Sequence, residues 1–159
     1  MKQTFNEDAV NTSAEDHIRM YTRVQQGVKS PYHLLAQYGK LWAPTIKPDS
    51  VGYGKMGECF SNALHLAHEE GLTYVEGYAT TVIPMHHAWC VDSAGNVIDP
   101  TWRALGSSYF GIPFDIVYAR VTAVKTGIYS ILWNHGNREL FGLNVGEFHS
   151  RDFAINCNE

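Results

Sequence analysis

Between residues 57 and 102 the chain changes its apolar rhythm twice, and those changes restrict the fold more than any other feature. From Cys59 to Glu70, Phe60, Ala63, Leu64 and Ala67 recur at helical spacing, and Gly71 supplies a stop signal. Residues 73–83 are then rich in Tyr, Thr and Val, the composition of a strand, with Gly77 marking a bulge or a close backbone approach. Residues 86–91 and 96–99 flank the turn-forming run Asp92-Ser93-Ala94-Gly95, which predicts a hairpin. A helix is thus followed by a strand and a hairpin.

The remaining chain fits around that unit. Its 159 residues provide for one core rather than two, so residues 1–12 are read as a loose tail and residues 13–159 as a single domain. Ser13 and Asp16 form a capping signal for a first helix, with Ile18, Tyr21, Val24 and Val28 on one face and Gly27 near its end. Ser30-Pro31 opens a second, short helix carrying Leu34, Leu35 and Tyr38 and closed by Gly39. Pro44, Pro48, Gly52, Gly54 and Gly57 make residues 40–57 an irregular approach to Cys59. Beyond Trp102 the run to Pro113 reads as loop. Phe114, Val117, Val121 and Val124 fit a helix ending at Gly127, with a strand as the alternative because of the β-branched content. No clear pattern follows Gly136.

Composition excludes several classes of partner. A net charge of -4, with Lys and Arg scattered, gives no field for a polyanion, so nucleic acid is not expected. No apolar run approaches the roughly 20 residues of a membrane span, and the first residues lack the apolar core of a signal peptide. A cytoplasmic protein is expected. Its three cysteines have no framework spacing and are expected to stay reduced.

A cysteine at a helix start, followed by a histidine and an aspartate on strands, is the set of groups used in thiol nucleophilic catalysis. A free thiol has a pKa of about 8.5 and needs help to ionise, which a helix N-terminus and a nearby imidazolium can both give. The alternative for Cys59 is a buried small hydrophobe. Strand alternation separates His87, Trp89 and Val91 from His86, Ala88 and Cys90. If the hairpin loop has an odd number of residues, Val91 pairs with Val97, and His87 and Asp99 become diagonal neighbours on one face. A two-residue turn at Ala94-Gly95 would put them on opposite faces. His86 has the wrong parity to meet Asp99 and is read as a flanking or surface residue. Asp92 suits a turn. Cys90 and Cys157 are read as non-catalytic. His65 and His68 are spaced to share a metal, but no third and fourth ligand accompany them, so no metal is expected.

Cys59, His87 in His-Ala-Trp and Asp99 in Asp-Pro-Thr-Trp together resemble the transglutaminase-like core of the papain-like cysteine enzymes, over roughly residues 53–102. Residues 109–114 also resemble a segment of small phage and bacterial proteins with this core. The resemblance implies an α+β fold, with N-terminal helices and a Cys-bearing helix packed on an antiparallel sheet, and acyl chemistry on a protein or peptide amide, without a cofactor. Hydrolysis, deamidation and transfer to an amine are all implied, and a relic that only binds a peptide or protein is the non-enzymatic alternative. Cys59 would be the nucleophile, His87 the acid/base and Asp99 the group orienting the imidazole. The backbone N–H of Cys59 would be one oxyanion donor and Tyr53 a candidate for the second. Glu58, Asn62 and His86 could line the entrance, and Trp89 and Trp102 would flank the site.

Overall fold

A computed structural model describes residues 13–24 and 30–137. The elements run α1 (Ala14–Val24), α2 (Pro31–Tyr38), β1 (Lys40–Trp42), α3 (Cys59–Glu70), β2 (Thr73–Thr80), β3 (Pro84–Val91), β4 (Val97–Ile98), β5 (Ser108–Phe114) and α4 (Ile116–Thr126). The strands form one antiparallel sheet in the order β1-β5-β2-β3-β4, and the molecule is α+β. Gly27, Val28, Cys157 and the 1–12 tail lie outside the described residues.

Local signals set the helix ends. The Ser13 hydroxyl accepts from the Asp16 backbone N–H at 3.1 Å and donates to the Asp16 carboxylate at 2.7 Å, so the cap expected at α1 is formed. Ser30 precedes α2 but makes no side-chain cap bond, its hydroxyl instead meeting His33 Nδ1 at 3.0 Å. Helix α3 spans the residues read from its apolar spacing and ends at Gly71 in the left-handed conformation that glycine adopts without steric cost.

The sheet is buried on both faces. One face carries Tyr74, Tyr78, Ala88, Cys90, Phe110 and Ile112 against the helices, including Ile18 of α1, Leu35 of α2 and Ala63 of α3. The opposite face carries Val75, Ala79, Trp89, Val91, Val97 and Tyr109, with Trp42 and Trp102 packed against them. Burial of both faces explains why β2 reads as a nearly continuous apolar run rather than an alternating one.

Four expectations need correction. Residues 103–113 are not all loop: β5 lies inside the sheet, between β1 and β2. Gly111 and Pro113 obscured it, yet Pro113 falls beyond the last β1 pair, Lys40 with Gly111, where β5 has only β2 as a neighbour. Residues 40–42, within the stretch read as irregular, form β1. Helix α4 starts after Phe114, because the Asp115 side chain accepts from the Tyr118 backbone N–H at 2.8 Å and caps it. Val117, Val121 and Val124 point to solvent, and Ala119 and Thr122 are the buried positions. Residues 81–83 likewise bend away from β2.

Gly77 marks a close approach and not a bulge, since the register on both sides of it is unbroken. A Cβ there would lie 2.1 Å from the Phe110 carbonyl oxygen, and one at Gly111 would lie 2.7 Å from the Trp89 ring. Gly77 pairs with both Gly111 and His87, so the two glycines sit across the sheet from the histidine.

Candidate active site

The hairpin register decides whether His87 and Asp99 can meet. Val91 pairs with Val97 and Cys90 with Ile98, leaving a five-residue loop at 92–96, the odd-numbered case. Asp92 folds that loop on itself: its carboxylate accepts from the backbone N–H groups of Ala94 and Asn96 at 2.9 and 2.8 Å and from the Asn96 side chain at 2.9 Å. Gly95, at φ +87, takes the conformation that a side chain disfavours. Asp92 is therefore a turn residue, and the fully buried Trp89 shares a face with His87 as alternation requires.

His87 Nε2 donates to Asp99 Oδ2 at 2.7 Å, with both side chains buried. The same carboxylate oxygen accepts from the Tyr109 hydroxyl at 3.1 Å, and Oδ1 accepts from the backbone N–H groups of Thr101 and Trp102 at 2.9 and 3.0 Å. Four donors fix one orientation of Asp99. Burial alone would raise the Asp99 pKa, but the bond to His87, its charge and the two backbone donors hold it below the ordinary carboxylate value. Trp102 stacks on the imidazole with ring centres 4.0 Å apart and planes 19° apart, fixing the ring's tilt.

Cys59 opens α3 and is nearly buried. Asp99 occupies Nε2 of His87, so Nδ1 is the ring nitrogen left for another partner. Burial opposes the charged imidazole, but bonds and charge interactions with Asp99 and Cys59 override it and raise the His87 pKa from 6.5 to about 9. The charged ring is thus the form favoured near neutrality.

Residues distant in sequence tie α3 to this turn. Asn62 Nδ2 donates to Thr101 Oγ1 at 2.9 Å and to the Lys55 carbonyl at 2.8 Å, while the Gly54 N–H donates to the Pro100 carbonyl at 2.7 Å. Asn62 is therefore a strut between the cysteine helix and the turn after Asp99. A Cβ at Gly54 would lie 2.2 Å from the Asn62 side-chain oxygen, so glycine makes the strut possible.

The other expected site residues are dispersed around the trio. Tyr53 is exposed, with Lys47 Nζ 4.3 Å and the Arg103 guanidinium carbon 5.0 Å from its ring centre. It borders a cavity of about 380 Å3 that also touches Asp99, Trp102 and Tyr109. Glu58 pairs with Lys55 and borders a separate groove of about 560 Å3. His86 lies on the other face, bonded to the Tyr78 hydroxyl and stacked on Trp133 at 4.1 Å. Partial burial and the nearby His17 lower the His86 pKa. The Trp89 indole N–H is buried without a hydrogen-bond partner, and nothing in the structure explains it.

Cys90 donates its thiol to the Ala63 carbonyl at 3.2 Å, and burial pushes its pKa up, leaving an inert core thiol. His65 and His68 are exposed on α3, and among the described residues no group of three His, Cys, Asp or Glu side chains could hold a metal ion. Among the same residues, no helix is long and apolar enough to cross a membrane.

Sequence reasoning did not identify Tyr109, whose signal was the bulky alternation hidden around Gly111. It also passed over Glu76, a fully buried carboxylate on β2 whose pKa burial raises to about 7 against four hydrogen bonds that lower it. Within an apolar run, that single acidic residue was the available sign. Comparison with protein-family models, curated proteins and solved structures finds no match to this chain.

Proposed function

We propose that this chain is a cysteine-nucleophile enzyme of the transglutaminase-like type, cutting a carboxamide, peptide or isopeptide bond through a thioester. The supporting observation is one buried imidazole, His87, held by Asp99 on Nε2 at 2.7 Å, with the Cys59 side chain among the groups that raise its pKa. A histidine that holds its proton strongly stabilises a thiolate placed beside it, which is the nucleophilic form of cysteine.

In the first step the Cys59 sulfur attacks the amide carbon, and its lone pair forms the C–S bond as the carbonyl oxygen takes negative charge. The Cys59 backbone N–H, in the first turn of α3 where such groups lack intrahelical acceptors, would donate to that oxygen. The His87 Nδ1 proton passes to the leaving nitrogen as the C–N bond breaks, giving thioester and amine. Water, deprotonated by the now neutral His87, then releases the acid; an amine in its place would complete an acyl transfer. Asp99 holds the imidazole in the required tautomer throughout.

A panel of glutamine-containing peptides and isopeptide-linked substrates tests this. Ammonia or amine release that disappears in Cys59→Ala is expected, and release that persists in that variant rules the mechanism out. Added hydroxylamine separates the two second steps, since a hydroxamate product reports transfer.

A further inference from the structure

Glu76 is wholly buried in β2, and among the described residues it forms no ion pair. Its Oε1 accepts from the Tyr74 hydroxyl at 2.7 Å and the Ile131 N–H at 2.6 Å. Its Oε2 accepts from the Ser130 hydroxyl at 2.9 Å and the Leu132 N–H at 3.0 Å. Three of the four donors belong to one short segment after α4. Ser130 extends the grip, because its hydroxyl oxygen also accepts from the Trp133 N–H at 3.0 Å.

Trp133, held this way, stacks on His86, meets Tyr78 edge-on at 5.6 Å and lies 6.2 Å from Phe60, the residue after Cys59. The groove of about 560 Å3 runs between the first turn of α3 (Glu58, Phe60, Ser61) and this segment (Tyr129, Ser130, Trp133). Three aromatic rings with a polar fringe, at the size range of ligand sites, match an apolar side chain on a peptide. A buried carboxylate is an expensive way to hold a loop segment, and an apolar residue would fill the same place in the core. What the carboxylate adds is directional control of residues 130–133.

We propose that this groove receives an aromatic side chain adjoining the scissile amide, and that Glu76 is the positioning residue that sets its far wall through Ser130 and Trp133. The inference rests on the reading of Cys59 as the nucleophile.

Two alkylating probes test it in the full chain: iodoacetamide, and N-benzyl-2-iodoacetamide, which adds an aromatic ring. Each rate at Cys59 is normalised to the rate with glutathione. In the wild type the benzyl probe is expected to gain about tenfold over iodoacetamide, the return on partly burying a phenyl ring. Glu76→Gln and Ser130→Ala should both abolish that gain. Ser130→Ala removes only the hydroxyl link, so it decides the matter if Glu76→Gln does not fold. No gain in the wild type, or a gain intact in the folded variants, overturns the proposal. Cys59 reacting with iodoacetamide no faster than Cys90 would instead overturn the catalytic reading, so the two failures are distinct.

Discussion

Asp99 shows how far a single carboxylate can be specified. Two oxygens meet four donors, one of which is the imidazole. Replacing it by Asn keeps the shape but presents a neutral amide, which no longer favours the charged ring and can stabilise the wrong tautomer. Asp99→Asn should therefore fold and lose roughly 10³–10⁴-fold in turnover, measured on whichever amide the substrate panel identifies. Asn62 acts at a distance from the reacting atoms, through the turn that carries Asp99. Asn62→Ala should slow Cys59 alkylation while changing stability by about 1–3 kcal/mol in urea titrations, the net worth of the two hydrogen bonds it donates. A stability loss with unaltered alkylation would make Asn62 a purely structural residue. The pairing of His87 with Asp99 was legible in the sequence on the condition of an odd-length loop, because strand parity then separates His87 from His86. The partners Tyr109, Asn62 and Glu76 were not, because their roles depend on contacts between segments far apart in the chain.

At the scale of elements, short-range signals succeeded where they were local. The Ser13 cap and the Cys59–Glu70 helix each follow from residues a few positions apart, whereas the hairpin's loop length was left open and is settled by the register. Strand β5 was lost because Gly111 and Pro113 are breakers by composition, and only the sheet explains them: one glycine makes room for Trp89, and the proline lies past the end of β1. The α4 valines were misleading in another way, since three apolar residues at helical spacing face solvent and the smaller Ala119 and Thr122 face inward. Gly111→Ala should cost about 1–3 kcal/mol of unfolding free energy by overpacking. Gly52→Ala, where no atom lies within 4 Å of the added carbon, should change it little. Equal effects in denaturant titrations would mean that close packing between β2, β3 and β5 does not carry the fold.

For the whole molecule, the helices cover one face of a sheet whose other face forms a second, aromatic-rich core, and His87 and Asp99 lie with that second core. Burying titratable groups makes stability depend on pH. His87 is raised from 6.5 to about 9, so its contribution is complete below pH 6.5 and is lost as pH rises through about 9. Glu76 is raised from 4.5 to about 7, so its contribution also falls with rising pH, but between those two values. Asp99 acts oppositely, favouring the fold above its ordinary 3.8 and withdrawing that support as pH falls. Melting temperature should therefore decline from pH 7 to 9.5, and His87→Gln should flatten that part of the curve. A slope unchanged in the variant would place the responsible group elsewhere.

The central claim is that His87 activates Cys59. The rate of Cys59 alkylation by iodoacetamide at pH 6, where a free thiol is almost wholly protonated, tests it most directly. In the wild type Cys59 should react faster than glutathione under the same conditions, and His87→Gln should slow it by about tenfold or more. Equal rates in the two proteins, no faster than glutathione, would contradict it.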